Sequence, residues 1–143
     1  MKTLVAYIFI ICLSIGFIAC QKEPQKGDYK GTFTGDYPDG SHYMTTYDFT
    51  ITHSNKKELR LEEKQSGTTS ILKKYSNDSI SGMIGFAGKI YNPDKKENVT
   101  FMTIKIEGKY KSNTISGVFS TTFTNEDDNK QYNSTGDFSI VPF

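Results

Sequence analysis

Side chains that commonly carry catalysis or bind metals are few and far apart in this chain. Its 143 residues include two His, two Cys and no Trp. His42 and His53 lie at the two ends of one predicted strand and differ in parity, so they should point to different faces of a sheet. A metal ion needs several ligands that converge on one point. The sequence therefore predicts no metal site and no cofactor.

The acidic and nucleophilic residues do not predict a catalytic centre either. Glu62 and Glu63 are neighbours in a predicted strand, which sends their carboxylates to opposite faces. Glu126-Asp127-Asp128 lies in a predicted loop that lacks the spaced acids and central glycine of an EF-hand. No Gly-x-Ser-x-Gly motif sets a nucleophilic serine apart. We therefore expect no catalytic residues and a protein that is not an enzyme.

The first twenty residues differ in kind from the rest of the chain. Met1-Lys2 precedes an apolar run from Leu4 to Ala19 that is interrupted by the polar Ser14. The run is shorter than the roughly 20 residues that span a bilayer, and a polar stretch follows it. This pattern predicts a secretory signal segment that is removed from the mature protein. Cys12 would leave with the segment, so the exported domain would have no cysteine for a disulfide.

A cysteine directly follows this segment. The stretch Phe17-Ile18-Ala19-Cys20 resembles the lipobox of bacterial lipoproteins. The resemblance implies cleavage before Cys20 and acylation of its thiol, which would make Cys20 the lipid anchor. Each buried CH₂ group contributes about 0.8 kcal/mol, so several acyl chains hold a protein permanently on a membrane. An ordinary secretory signal and an uncleaved amino-terminal anchor are the alternatives.

The resemblance also implies an organisation and a location. Residues 1–19 are the predicted signal peptide, residues 20–26 a lipidated tether, and residues 27–143 a single domain. The protein is expected to be exported and anchored to the bacterial cell envelope, with the outer membrane as the expected membrane. Gln21-Lys22-Glu23 is similar to the short tethers that direct some lipoproteins to the cell surface.

The composition of the remaining chain favours strands over helices. After Cys20, leucine occurs only at Leu59, Leu61 and Leu72, and alanine only at Ala87. Leucine and alanine are the best helix formers, whereas Ser, Thr, Tyr and Phe, which are frequent here, suit a half-buried pleated surface. Over the whole chain, 17 Lys and Arg nearly balance 16 Asp and Glu. That balance argues against nucleic-acid binding through a basic face.

Alternating side chains support this assignment and predict an antiparallel meander of about eight strands. In the segment 43–51 the odd positions are mostly apolar or aromatic and the even ones mostly polar. Turn signals recur roughly every ten residues. The predicted strands are 29–36, 43–53, 58–64, 68–75, 79–90, 99–107, 109–123 with a break at 111–113, and 132–141.

Glycine recurs in the middle of four of these strands, between apolar or small residues, at Gly31, Gly82, Gly117 and Gly136. Such positions suggest a strongly coiled sheet, or an aromatic side chain that crosses bare backbone. A closed barrel would leave no unpaired strand edges. The chain resembles the small lipocalin-like (calycin) β-barrels of bacterial envelope lipoproteins, through the segments 27–33 and 115–119. A β-sandwich of the same strands is the alternative.

An eight-stranded barrel either fills itself with side chains or holds one small ligand. Six aromatic residues are the candidates to line such a ligand site, and the alternative is that they simply form the core. They are Tyr29, Phe33, Tyr47, Phe49, Phe119 and Phe138. Separately, Asp78-Ser79-Ile80 resembles an acceptor of periplasmic O-glycosylation in some Gram-negative bacteria, which makes Ser79 a candidate modification site.

Two functional hypotheses remain. The leading one is a non-enzymatic binding module, held on a membrane through acylated Cys20, that takes a small apolar or amphipathic ligand. The alternative is an inhibitor or accessory subunit that contacts an envelope enzyme or complex and has no ligand of its own. An apolar cavity would favour the first, and a filled interior with an exposed apolar patch the second.

Overall fold

A computed structural model describes residues 23–37, 39–86, 89–92, 97–125 and 129–143. The predicted signal peptide and Cys20 lie outside the described residues. The described part forms nine β-strands, which we number in chain order. They are β1 (Gly27–Asp36), β2 (His42–Ser54), β3 (Glu58–Glu63), β4 (Thr69–Lys74), β5 (Ser79–Gly85), β6 (Lys89–Asn92), β7 (Glu97–Lys111), β8 (Thr114–Asn125) and β9 (Gln131–Pro142).

The strands close into an antiparallel barrel. Their order in the sheet is β5-β4-β3-β2-β1-β9-β8-β7-β6, and β5 also pairs with β7. This additional pairing joins eight strands into a ring and leaves β6 outside it, paired with the first part of β7. The predicted all-β meander barrel is confirmed, with the architecture that the lipocalin-like resemblance implies, and the sandwich alternative is wrong.

Period-two alternation decides which side chains fill the barrel. Along β1, the residues from Tyr29 to Tyr37 at odd positions are buried, and the intervening ones are mostly exposed. On β3 and β4, Leu59, Leu61 and Leu72 point inward and are fully buried. The result is one continuous core inside the ring, to which every strand from β1 to β5 contributes.

The recurring glycines let large groups and neighbouring backbones approach closely. A Cβ atom added to Gly31 would lie 2.5 Å from the ring of Phe49, so an aromatic side chain does cross bare backbone there. At Gly117 and Gly136 an added Cβ would instead overlap carbonyl oxygens of the adjacent strands, those of Glu107 and Thr34. The predicted crossing of bare backbone by an aromatic side chain therefore applies at Gly31, whereas at Gly117 and Gly136 the backbone of the adjacent strand comes close.

Three details differ from the predicted strands. The predicted strand 79–90 ends at Gly85, and Lys89–Asn92 forms a separate short strand. Residues 107–109 do not divide two strands, because Gly108 pairs directly with Gly117 within one long β7. A bulge between Ile51 and His53 places His53 opposite the exposed Arg60. His53 therefore lies on the outer face of the barrel, as His42 does, and the prediction of opposite faces was wrong.

The two ends of the barrel are built differently. We call the end where the chain enters the closed end, because the segment Glu23–Lys26 packs against it between the turns at 55–57, 75–78 and 112–113. The opposite end carries the turns at 39–41 and 64–68, and no described segment crosses it. We call it the open end. Within the described ranges there is no helix long and apolar enough to cross a bilayer.

The rim of the open end is uneven. Strands β3 and β4 have six residues each, whereas β2 has 13 and β7 has 15. Pairing between β2 and β3 begins only at Phe49 and Glu63, so the first part of β2 rises above its neighbour. This difference in strand length leaves a notch in the wall beside β2.

Candidate functional site

The middle of the barrel is filled by aromatic side chains. Phe33 is fully buried, and its ring lies within 6.1 Å, between centroids, of the rings of Tyr47, Phe86, Phe119 and Phe138. Most of these contacts are edge-to-face, whereas Phe138 stacks on Phe33. Such geometry is favourable for aromatic pairs beyond the area that they bury. The described rings therefore pack against one another around Phe33.

All six predicted ligand-lining residues point into the barrel, but they do not form one site. Tyr29 lies toward the closed end, where its hydroxyl donates to the carbonyl of Gln25 at 2.9 Å. Phe33, Phe49, Phe119 and Phe138 are buried in the shared core. Tyr47 alone among the six is partly exposed, and it faces the notch. Whether any of them contacts a ligand stays a prediction.

The notch at the open end is a surface depression of about 530 Å³. It lies where β2 rises above the end of β3, and both inward-facing and outward-facing side chains line it. The lining residues are Lys30, Thr45, Thr46, Tyr47, Asp48, Glu63, Lys64 and Gln65. The depression thus combines hydroxyl, amide and charged groups around a single aromatic ring.

The Tyr47 hydroxyl at this notch is buried and has no hydrogen-bond partner among the described residues. Its ring packs on that of Phe86 with the centroids 4.1 Å apart. Burial raises the pKa of Tyr47 to about 12, against a lowering contribution from the nearby Thr45 side chain. A buried polar group without a partner costs about 1–3 kcal/mol. This hydroxyl is thus the unsatisfied donor of the site.

Glu63 beside Tyr47 has a structural role. Its carboxylate accepts hydrogen bonds from the amides of Gln65 and Ser66 at 2.9 and 2.7 Å, which holds the turn after β3. Burial raises the pKa of Glu63, but the hydrogen bonds from Ser66 and Gln65 outweigh it and bring the pKa below its usual value. Glu63 is therefore ionised at neutral pH and already occupied by the turn.

A second polar group at the open end is fully paired. The Ser134 hydroxyl lies 2.8 Å from the carbonyl of Asp36 and 2.8 Å from the Tyr43 hydroxyl. Because Ser134 has a single hydroxyl proton and gives it to the carbonyl, Tyr43 must be the donor to Ser134. Burial raises the pKa of Tyr43, partly offset by this bond with Ser134. Tyr43 thus links β2 to β9 across the intervening strand β1.

The closed end contains a buried cation. The side chain of Lys74 is fully buried, and its Nζ lies 3.4 Å from a carboxylate oxygen of Glu23 and 3.4 Å from the Ser54 hydroxyl. The same Nζ lies 4.6 Å from the centre of the Tyr110 ring. A buried charge is tolerated when it is paired and hydrogen-bonded, and Lys74 meets both conditions.

The histidines and the acidic candidates do not come together. His42 pairs with Asp36 near the open end, whereas His53 contacts Asn55 and Glu58 near the closed end. In the part of the chain that the structure describes, no three His, Cys, Asp or Glu residues are placed to hold a metal ion. The acidic run 126–128 lies outside the described residues.

Ser79, the predicted glycosylation site, is the first residue of β5 at the closed end. It is half-buried, and its amide donates to the Asn77 side chain at 3.3 Å. Asp78 before it has a φ of 62°, so the acceptor motif lies in a tight turn. No contact of Ser79 decides whether the hydroxyl is modified, and its modification stays a prediction.

The polar residues that face the interior, Lys74 and Glu63, were not predicted from the sequence. Lys74 has the same parity on β4 as the buried Leu72, and Glu63 has the same parity on β3 as Leu61. A charged residue at an inward position of an otherwise apolar strand face was the available signal. The unpartnered Tyr47 hydroxyl gave no such signal, because it depends on which groups surround it in three dimensions.

The chain matches no family model, no curated protein and no solved structure.

Proposed function

We propose that this protein is a lipid-anchored envelope lipoprotein whose barrel is a non-enzymatic binding module for a small amphipathic ligand. The ligand site is the notch at the open end, with Tyr47 at its centre. The proposed anchor is Cys20, on the strength of the lipobox resemblance.

The observation that carries the proposal is the buried Tyr47 hydroxyl without a partner. Buried polar groups in proteins are almost always hydrogen-bonded, and the exceptions call for an explanation such as an absent ligand. A ligand acceptor at this point would satisfy the hydroxyl. Because the hydroxyl is covered by protein atoms, side chains at the notch must move when the ligand enters.

The surroundings of Tyr47 define the ligand class. The Tyr47 ring, backed by the buried rings of Phe33 and Phe86, is the aromatic surface of the notch and suits a small apolar group. The rim carries Thr45 and Gln65, which suit a polar head, and Lys64, whose ammonium pairs with Asp28 at 2.8 Å. The filled core limits how deeply the ligand can enter. A short amphipathic molecule with an oxygen acceptor near its apolar part fits these conditions.

Native mass spectrometry of the protein extracted from its own membranes tests the proposal. We expect the wild-type protein to carry a non-covalent small-molecule adduct, and Tyr47→Phe to carry several-fold less, because it lacks the orienting hydroxyl. Tyr75→Phe is the matched control, since the exposed Tyr75 lies at the closed end and makes only a 3.3 Å contact with Ser81. Equal adduct on Tyr47→Phe and Tyr75→Phe would contradict a role for Tyr47.

The second candidate is the inhibitor or accessory subunit, and one observation favours it. Large apolar side chains are exposed on the outer face of β4, β5 and β8, namely Ile71, Met83 and Val118. A protein partner could cover them. Replacing all three with Thr should then abolish co-purification of that partner and leave the ligand adduct unchanged.

A further inference from the structure

The chain enters the barrel through a segment that is fixed at the closed end. Glu23 forms the ion pair with buried Lys74 at 3.4 Å, and Pro24 is buried. The Gln25 amide donates to the Asn113 side chain at 3.1 Å, in the turn between β7 and β8. These contacts come from three consecutive residues. The last part of the predicted tether therefore lies against the domain.

This arrangement limits how far the proposed anchor can lie from the barrel. Cys20 precedes Glu23 by three residues. A fully extended chain covers at most about 3.6 Å per residue, so the Cα atom of Cys20 lies within roughly 11 Å of that of Glu23. Acyl chains on Cys20 would consequently hold the closed end, and not the open end, next to the membrane surface.

The exposed charge at the closed end has the sign that a phospholipid surface favours. Four lysines lie on the entering segment and in or beside the turns of this end, and all are exposed. They are Lys26, Lys56, Lys57 and Lys111. The acids at this end are mostly engaged, since Glu23 pairs with Lys74 and Glu58 pairs with Arg60. Asp78 is half-buried in its turn. We call the four lysines the basic ring.

We infer that the basic ring docks on the headgroups of anionic phospholipids, with the open end directed away from the membrane. This inference rests on the proposed lipid anchor at Cys20. Each lysine close to an anionic membrane contributes about 1 kcal/mol, which corresponds to roughly fivefold in association. The anchor supplies the attachment, and the basic ring sets the orientation.

Two single-cysteine variants of the full lipoprotein test the inference. Ser76→Cys places a thiol in the exposed turn of the closed end, and Ser41→Cys places one beside the outermost turn of the open end. Each is labelled with a fluorophore and reconstituted into vesicles of equal parts phosphatidylcholine and phosphatidylglycerol with a headgroup-linked quencher. We expect quenching at position 76 to be several-fold stronger than at position 41, because only the closed end would lie at the headgroups.

The second part of the quenching experiment neutralises the basic ring. The quadruple change Lys26→Gln, Lys56→Gln, Lys57→Gln and Lys111→Gln should lower quenching at position 76 several-fold, and so should vesicles of phosphatidylcholine alone, although the anchor still keeps position 76 nearer the membrane than position 41. The control changes Lys105 and Lys130, which lie outside the basic ring and the notch, to Gln, and it is compared with Lys56→Gln and Lys57→Gln within the ring, which change the net charge equally. This control should keep the difference between positions 76 and 41.

The possible outcomes distinguish failure of the docking inference from failure of the proposed lipid anchor. Protein that floats with the vesicles but shows equal quenching at both positions overturns the docking inference and leaves the anchor intact. Protein that does not float overturns the anchor, and with it the docking that depends on it. Stronger quenching at position 41 would show the opposite orientation.

Discussion

The two ends of this barrel treat buried polar groups in opposite ways. At the closed end, the ammonium of Lys74 is fully buried, yet it has a carboxylate, a hydroxyl and an aromatic ring around it. At the open end, the Tyr47 hydroxyl is buried with no partner in the described part of the chain. The closed end therefore satisfies a costly charge, whereas the open end leaves a cheaper group unsatisfied.

This difference indicates that the closed end stabilises the fold and that the open end is the candidate for ligand binding. A charge with all of its partners in place stabilises one arrangement of the entering chain. A hydroxyl without a partner lowers stability, and it forms a hydrogen bond only when another molecule supplies the acceptor. The comparison predicts that substitutions at the closed end and in the packed wall destabilise the barrel, and that removal of the hydroxyl at the open end does not.

The largest effect is expected from glycine in the packed wall. An added Cβ at Gly117 would overlap the backbone of β7, which cannot move away. Gly117→Ala should cost about 4 kcal/mol of unfolding free energy. At the open end, a Cβ on Gly35 would meet the Tyr43 hydroxyl at 2.8 Å, which can shift, and the Thr135 carbonyl oxygen at 2.9 Å, a smaller backbone overlap than that at Gly117. Gly35→Ala should cost only about 1–3 kcal/mol. Urea unfolding followed by circular dichroism measures both, and a costlier Gly35→Ala would contradict the comparison.

The next effect concerns the charge pair of the closed end. Glu23→Gln leaves the buried Lys74 ammonium without its counter-ion and should cost about 1–2 kcal/mol, a reduced value because Glu23 is partly exposed. Lys74→Met removes the charge and keeps the volume, so it should change stability by less than about 1 kcal/mol. The same urea experiment compares them. A larger cost for Lys74→Met would mean that packing, and not pairing, dominates here.

Removal of the hydroxyl at the open end should raise stability. Tyr47→Phe eliminates the unsatisfied group and should stabilise the ligand-free protein by about 1 kcal/mol, or a few degrees in Tm. Tyr43→Phe is the contrast, because it breaks the bond to Ser134 and should destabilise by a similar amount. Calorimetry on ligand-free protein measures both. Destabilisation by Tyr47→Phe would show that the hydroxyl has a protein partner.

The smallest effect is a pH dependence at the open end. The pKa of Glu63 is lowered in the folded protein, so its contribution is present above the unfolded pKa near 4.5 and is lost as pH falls through the folded value. Glu63→Gln should flatten the fall in stability below pH 4.5 by less than about 1 kcal/mol. Glu62→Gln, on the opposite face, should leave the slope unchanged. Unfolding curves at several acidic pH values compare the three proteins.

The sequence predicted the fold better than the site. Alternation in the segment 43–51 of β2 gave the inward face correctly, because a half-buried strand repeats every two residues whatever its neighbours are. The glycine pattern also anticipated the close approach of Phe49 to Gly31. The bulge before His53 could not be predicted, since an extra residue in one strand is set by its pairing with β3.

The candidate site could not be predicted from the sequence, because it depends on how the strands are placed relative to one another. The notch exists because β3 ends at Glu63 while β2 continues, and relative strand heights around a barrel depend on register. The Lys74 pair likewise joins residues 51 positions apart through the path of the entering chain. The parity of Lys74 and Glu63 with buried leucines was a signal that the sequence predictions did not use, and the structure identified their partners.

A crystal structure of the protein purified from its own membranes would show whether the Tyr47 hydroxyl binds a ligand in the notch. We expect non-protein density there, with an acceptor atom within roughly 3 Å of the Tyr47 hydroxyl, and the Glu23–Lys74 pair unchanged at the other end. A Tyr47 hydroxyl bonded to a protein group, with the notch holding only water, would contradict the proposed ligand site.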